Sequence, residues 1–114
     1  MQHLFLALAD IHGNINALEQ ILKANSNIEG IFVAGDHLTN FGKEKEAQRV
    51  LSAFSSIAPK AKLYFLAGNC DTAEARKCFD MQPGYIEQRC CALLPEKELW
   101  IIGCGGGLYH TGLT

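Results

Sequence analysis

Two side chains that commonly bind metal ions, Asp10 and His12, stand two residues apart near the start of the sequence. In an extended backbone alternate residues face the same side, so both side chains are expected to point one way. Asp36 and Asn69, each directly after a glycine, add a second carboxylate and a neutral amide oxygen. Mixed oxygen and imidazole donors suit Mn, Fe, Ni or Zn better than a soft thiolate metal. These four residues are therefore candidate ligands of divalent cations, which would also relieve the repulsion between the carboxylates.

Each of these motifs comes just after a short apolar run, and the element expected to position it is a buried strand. The runs occupy residues 3–9, 30–34 and 63–67. The strand ends recur at intervals of about one βαβ unit, which predicts three parallel neighbours in an α/β sheet. Parallel strands present their carboxyl ends along one edge, where ligands bind in open α/β folds. The candidate ligands are therefore expected to meet in one crevice.

Between these runs, apolar residues recur at the spacing of an α-helix. Asn14 is the expected N-cap of a first helix that ends near residues 25–27, and a second helix is predicted for residues 43–57. A third helix is expected through about Phe79, with Asp71 as the N-cap of a capping box. The amide groups at the starts of the first and third helices would face the crevice and favour an anion such as phosphate.

Composition and the rest of the chain narrow the class of protein. The segments 90–94 and 99–102 are apolar and flank a turn that contains Pro95, which predicts a β-hairpin. The five cysteines include no C-x-x-C pair and accompany no secretory signal, so we expect reduced thiols in a cytoplasmic protein. With 10 Lys+Arg against 12 Asp+Glu, the chain is nearly neutral, and its charge gives no indication of binding to nucleic acid or to an anionic membrane surface. No apolar run has the length of about 20 residues that a membrane span requires.

Each candidate ligand also has an ordinary structural role. Asp10 is a common type of turn or helix-capping residue, and a loop histidine such as His12 is more often only hydrogen-bonded. Asp36 and Asn69 follow glycines, a pattern typical of turns. The convergence of three such turns, each after an apolar strand, favours a shared metal site over these separate roles.

The three strand-end motifs together resemble the first half of the calcineurin-like metallophosphoesterase signature. They read D-x-H-G-N from residue 10, G-D from residue 35 and G-N-C-D from residue 68. The resemblance implies an αββα sandwich, of which this chain would form the N-terminal half, β-α-β-α-β-α followed by a β-hairpin. It also implies a site for two divalent metal ions. Asp10 and His12 would bind the first ion, Asp36 would bridge both, and Asn69 would bind the second.

The activity that the resemblance implies is hydrolysis of phosphoric esters, phosphodiesters in particular, by a hydroxide that the two ions activate. The expected catalytic residues are Asp36, Asn69 and Cys70. The expected substrate contacts are Asn14, His37 and Asn40. Cys70 stands where many family members carry a histidine that donates a proton to the leaving group, and G-N-C-D is similar to a subgroup of small prokaryotic phosphodiesterases. Because a thiol is a poorer proton donor near neutral pH, leaving groups that need little protonation would be favoured.

The later histidines of the family signature, including G-H-x-H, do not occur in the 114 residues. We therefore expect residues 1–114 to form a single, truncated domain that retains four ligand positions and has weak or no turnover. Its second sheet would be reduced to the hairpin, and the apolar surface left exposed would need cover from a homodimer or a partner chain. The alternative function is a non-catalytic α/β module that binds metal or phosphate and acts by association.

Overall fold

The computed structural model describes residues 3–25, 27–34, 38–68, 71–87, 89–94 and 99–104. Within these ranges the strands and helices alternate and an antiparallel strand pair follows. The elements in order are β1 (Phe5–Leu8), α1 (Ile15–Ala24), β2 (Gly30–Val33), α2 (Glu44–Ile57), β3 (Lys62–Phe65), α3 (Ala73–Asp80), β4 (Cys90–Leu94) and β5 (Leu99–Ile102). The predicted order, β-α-β-α-β-α followed by a hairpin-like strand pair, is confirmed, and it is consistent with half of a two-sheet α/β sandwich.

The first sheet has the strand order β1-β2-β3, and both pairings are parallel. Its register is uniform: Leu8 stands opposite Val33, and Val33 stands opposite Phe65. The three strands therefore end level with one another, as the spacing of the polar motifs predicts. Backbone hydrogen bonds carry the pairing just past the ends, from the Ala34 amide to the Leu8 carbonyl and from the Leu66 amide to the Val33 carbonyl. The three following loops consequently start from one edge.

One face of this sheet forms the core with the helices. Alternate strand residues point to opposite faces, and those that share the core cluster with the helices are Leu6, Leu8, Ile31, Val33, Leu63 and Phe65. α1 packs against α2 and α2 against α3. Each helix contributes the apolar residues that recur on one of its sides, namely Leu18 and Leu22 in α1, Ala47, Val50, Ala53 and Phe54 in α2, and Ala75 and Phe79 in α3. Burial of these faces stabilises the helices, which are individually short.

The opposite face carries a row of aromatic rings. Phe5 stacks on Phe32 with 5.2 Å between ring centroids, and Phe32 lies 5.8 Å from Tyr64. Gly30 leaves room for this row, because a Cβ at that position would lie 3.0 Å from the Phe5 ring. Burial raises the pKa of Tyr64, and the nearby Cys91 thiol adds to the effect. This row of rings covers the side of the sheet that faces away from the helices.

The expectation of a fully buried first strand is wrong. The β1 side chains are half-buried or exposed, and Leu4 just before the strand is 54% exposed. In the described part of the chain β1 pairs only with β2, so it forms the edge of the sheet. An apolar run predicts a strand, but its burial depends on how many neighbours the fold gives it.

The strand pair β4–β5 is joined to the first sheet through the segment that follows α3. The Phe65 amide donates to the Gly84 carbonyl, and the Ile86 amide donates to the Phe65 carbonyl. β4 and β5 pair antiparallel with an irregularity between Ala92 and Leu94, and the predicted turn at 95–98 lies outside the described residues. β5 exposes the large apolar side chains Leu99, Trp100 and Ile102. Among the described helices, none has the length and apolar character needed to cross a membrane.

The N-cap predicted for α1, Asn14, is confirmed, whereas the N-cap predicted for α3, Asp71, is wrong. The Asn14 Oδ1 atom accepts a hydrogen bond of 3.1 Å from the Ala17 amide and caps α1, as predicted. The N-cap of α3 is Thr72, whose hydroxyl accepts from the Ala75 amide at 3.2 Å. Asp71 does not cap the helix because its carboxylate is occupied by amides of the loop after β2 and of its own loop, described below.

A substitution at Gly84 tests the junction between β3 and the second strand pair. A Cβ at Gly84 would overlap the backbone carbonyl of Leu63, whereas a Cβ at Gly30 would crowd mainly the Phe5 ring. A backbone atom cannot move aside as a side chain can, so Gly84→Ala is expected to lower the free energy of unfolding by about 1–3 kcal/mol. Gly30→Ala should cost less. Urea denaturation of both variants measures the difference, and equal costs would contradict this account.

Candidate metal centre

The β1–α1 loop brings Asp10 and His12 together. Asp10 Oδ1 and His12 Nε2 lie 3.3 Å apart, and the side chains are 64% and 41% exposed. The backbone is not extended as expected from the sequence: Asp10, His12 and Gly13 have φ values of 57°, 51° and 70°. A coiled loop of left-handed residues therefore points both side chains to one place. Non-glycine residues rarely adopt this conformation, and such strain clusters at functional sites.

The Asp10–His12 pair fits a divalent cation in its donor chemistry and spacing. Nitrogen and oxygen ligands bind Zn²⁺ at about 2.0–2.2 Å in tetrahedral geometry, so two donors on one ion lie about 3.4 Å apart. The observed separation is close to this value, and both side chains are open to solvent. Within the described ranges, no group of three or more His, Cys, Asp or Glu side chains is arranged to hold a metal ion. The pair by itself therefore supplies only two of the donors that a metal ion would require.

The remaining ligands predicted from the sequence lie outside the described residues. These ligands are Asp36 and Asn69, and the predicted catalytic residue Cys70 and substrate contact His37 lie outside the described residues as well. Asn14 caps α1, and Asn40 is exposed on the loop after β2, where its amide donates to Glu46 Oε1 at 2.9 Å. The convergence of the ligands therefore stays a prediction for all but Asp10 and His12.

The loop after β2 is tied directly to the loop that carries this pair. The Gly13 amide donates to the Leu38 carbonyl at 3.0 Å. Leu38 and Thr39 are completely buried, so this part of the second loop is anchored in the protein interior. The first two strand-end loops consequently share a backbone hydrogen bond directly after His12.

A buried carboxylate, Asp71, joins the second loop to the third. Its Oδ1 atom accepts from the Thr39 amide and the Thr39 hydroxyl, both at 2.7 Å. Its Oδ2 atom accepts from the Leu38 amide at 3.1 Å and from the Gly68 amide at 2.8 Å. Asp71 has no exposed surface, and four donors satisfy the charge that burial would otherwise penalise. This side chain is a structural link between the loops that follow β2 and β3.

A second carboxylate, Glu46 in the first turn of α2, fills the space between the first two loops. A Cβ at either Gly13 or Gly42 would overlap the Glu46 carboxylate. Gly13 also has a positive φ, so a larger residue would be both strained and crowded there. The Asn40 amide donates to the same carboxylate. Two glycines thus allow the loops to close around one side chain.

α3 holds the third loop from its outer side. Arg76 donates from Nη2 to the Gly68 carbonyl at 3.1 Å and from Nε to the Asp71 carbonyl at 3.3 Å. Arg76 Nη1 lies 3.4 Å from Glu87 Oε2, which also accepts a hydrogen bond from the Tyr85 hydroxyl. Burial, followed by the bond to Glu87, raises the pKa of Tyr85 well above its usual range. The phenol therefore stays protonated and donates to the carboxylate at neutral pH.

The residues missed in the sequence are those that support the loops. Asp71 is interpreted there as a helix cap, and Thr39 and Glu46 are not singled out at all. The local pattern offers one usable signal: Thr72 is itself a favourable N-cap, which leaves Asp71 available for another role. Nothing in the local sequence relates Asp71 to Leu38 or Thr39, because those contacts depend on the tertiary structure.

Comparisons with known proteins agree with the strand-end motifs. A family model described as calcineurin-like phosphoesterase matches residues 3–112. The match includes all three strand-end loops and the strand pair β4–β5. No curated protein and no solved structure gives a match.

The role of Glu46 can be separated from a general effect of acidic residues at the start of α2. Glu44 and Glu46 both lie in the first turn, so both interact favourably with the helix dipole. Only Glu46 also accepts from the Asn40 amide in the second loop. Glu46→Ala is therefore expected to lower the free energy of unfolding by about 1 kcal/mol more than Glu44→Ala. Urea denaturation of the two variants measures this difference, and equal losses would argue against a loop-anchoring role.

Proposed function

The chain belongs to the calcineurin-like phosphoesterase family, and from this premise we propose that it hydrolyses phosphoric esters, phosphodiesters in particular, with two divalent metal ions. Membership of this family supports metal-dependent hydrolysis of phosphoric esters as the general activity. The proposal extends this to the substrate class, to Mn, Fe, Ni or Zn as the metal, and to the residues of this chain that would hold it.

The observation that carries the proposal is the Asp10–His12 pair. Its oxygen and nitrogen donors lie 3.3 Å apart at the carboxyl edge of a parallel sheet, and both side chains are accessible. Ligand sites in open α/β sheets form in this position. The pair is also held by a backbone bond to the next strand-end loop, which limits its movement relative to the other proposed ligands.

We assign the ligand roles as follows. Asp10 and His12 would hold the first ion, Asp36 would bridge the two ions, and Asn69 would hold the second. Bound divalent ions would supply an activated hydroxide for in-line attack on phosphorus and neutralise charge on the phosphate oxygens. Asp36 and Asn69 are thereby proposed as catalytic residues together with Cys70.

The other proposed residues would act on the substrate. Cys70 would donate a proton to the leaving oxygen, a step that a thiol performs less well than an imidazolium near neutral pH. Asn14, His37 and Asn40 would contact the ester. Because the Oδ1 atom of Asn14 caps α1, its contact with a phosphate oxygen would come from Nδ2.

The central test is metal binding and hydrolysis by Asp10→Asn and His12→Gln. The wild-type chain is expected to bind two Mn²⁺ ions and to hydrolyse a chromogenic phosphodiester slowly, because the later family histidines are absent from the 114 residues. Each substitution removes a first-ion donor and should weaken Mn²⁺ binding at least tenfold, by analogy with losses at outer-shell partners of metal sites. Calorimetric titration and the rate of chromophore release measure both effects.

Matched controls for this test are side chains that lie away from the carboxyl edge of the sheet. Asp80→Asn at the exposed end of α3 and His3→Gln before β1 should leave Mn²⁺ binding and turnover unchanged. Chelation followed by Mn²⁺ addition should abolish and then restore turnover. If one ion binds weakly and no ester is cleaved, the chain is instead a non-catalytic metal-binding module, and the enzyme proposal is wrong.

Cys70→Ser tests the proton donor separately. Protonation matters more for a poor leaving group, so the variant should lose about tenfold or more in rate with an alkyl ester and little with a nitrophenyl ester. The measurement is the dependence of rate on leaving-group pKa for both proteins. Parallel lines for wild type and variant would remove Cys70 from the mechanism.

A further inference from the structure

We propose that Asp71 is a positioning residue for the metal centre, and that its buried carboxylate sets the spacing of the three strand-end loops. The inference rests on the proposed function where it concerns metal affinity. The loop-spacing role itself rests only on contacts among described residues.

The four hydrogen bonds of Asp71 come from two different loops. Leu38 and Thr39 donate from the loop after β2, and Gly68 donates from the loop after β3. The Thr39 hydroxyl adds the fourth bond. One rigid planar group therefore holds both loops, and neither loop can shift along the sheet edge without breaking bonds to a buried charge.

The link continues to the Asp10–His12 pair through the backbone amide and carbonyl of Leu38. The Leu38 amide donates to Asp71, and the Leu38 carbonyl accepts from the Gly13 amide, directly after His12. A movement of Leu38 is therefore transmitted to the residue that adjoins the imidazole ligand. The same carboxylate thus affects the first, second and third loops.

Asp71 itself is not placed to bind a metal ion or a helix end. Both of its oxygens accept two bonds each, its side chain has no exposed surface, and Thr72 caps α3. The nearby Arg76 donates to the Asp71 backbone carbonyl. Within the described ranges the carboxylate pairs with no cation, so amide and hydroxyl donors satisfy it. Its effect on chemistry must therefore pass through the loops.

Asp71→Asn is the sharpest variant, because it keeps the shape but replaces one acceptor oxygen by an NH₂ group. That NH₂ would face backbone N–H donors whichever way the amide is turned. Thr39→Val removes only the hydroxyl bond and serves as a milder second variant, whereas Thr39→Ser retains it. Val50→Ala in the core of α2 is the control for loss of stability away from the edge.

Amide hydrogen exchange is the readout that does not depend on metal. In Asp71→Asn the Gly13, Leu38, Thr39 and Gly68 amides should exchange at least tenfold faster relative to α2 amides. In Val50→Ala that ratio should stay at the wild-type value. Thr39→Val should give a smaller change in the same direction, and Thr39→Ser should give none. An unchanged ratio in both Asp71→Asn and Thr39→Val would overturn the proposal.

Mn²⁺ titration is the second readout. Loss of an outer-shell partner typically weakens metal binding by 10–100-fold, and we expect Asp71→Asn to fall in that range, with Val50→Ala at the wild-type value. Equal affinities in Asp71→Asn and wild type would overturn the positioning of the metal centre. If the wild type binds no Mn²⁺ at all, the proposed function fails, and the exchange ratios alone decide whether Asp71 sets the loop spacing.

Discussion

Buried peptide groups need hydrogen-bond partners even where the chain belongs to neither a strand nor a helix. This constraint governs the edge of the sheet where β1, β2 and β3 end. The amides of Leu38, Thr39 and Gly68 have left the regular pairing of the sheet. The Asp71 carboxylate accepts hydrogen bonds from all three amides. In a turn exposed to water, solvent would accept these hydrogen bonds and no carboxylate would be required. Glu46 accepts a hydrogen bond from a further loop amide, that of the exposed Asn40. Carboxylates near the helix starts thereby replace the strand partners that the loops have lost.

The carboxylates of Asp10 and Asp71 lie in opposite surroundings, because the first is exposed to solvent and the second is buried. Asp10 is open to water and lies 3.3 Å from a histidine nitrogen, so its carboxylate is accessible to a cation from solution. Asp71 is enclosed and its four bonds would all have to break before it could bind one. Burial of a charge is tolerated only with such complete hydrogen bonding. Solvent exposure and hydrogen bonding therefore distinguish a carboxylate that is accessible to a cation from one that links two loops.

Much of the fold follows from periodicity in the sequence, because apolar spacing is a local property. The three parallel strands, the helix between Lys43 and Pro59 and the cap at Asn14 are all predicted correctly on this basis. Tertiary context decides the rest. Asp71 and Thr72 are both suitable N-cap residues by local rules, and the Asp71 carboxylate instead binds the amides of Leu38 and Thr39, which are distant in sequence. The proximity of Asp10 and His12 is also predicted, but it arises from positive φ values that no local rule anticipates.

α3 connects the packing of the core with the geometry of the strand-end loops. Its inner face is buried, and Phe79 contacts Phe65 of β3 edge to face at 5.3 Å between centroids. Residues at its start hold the loops: Thr72 donates to the Gly42 carbonyl and Arg76 to the Gly68 carbonyl. Because one helix carries both sets of contacts, its packing against β3 acts together with the Asp71 carboxylate to hold the second and third loops at the edge of the sheet.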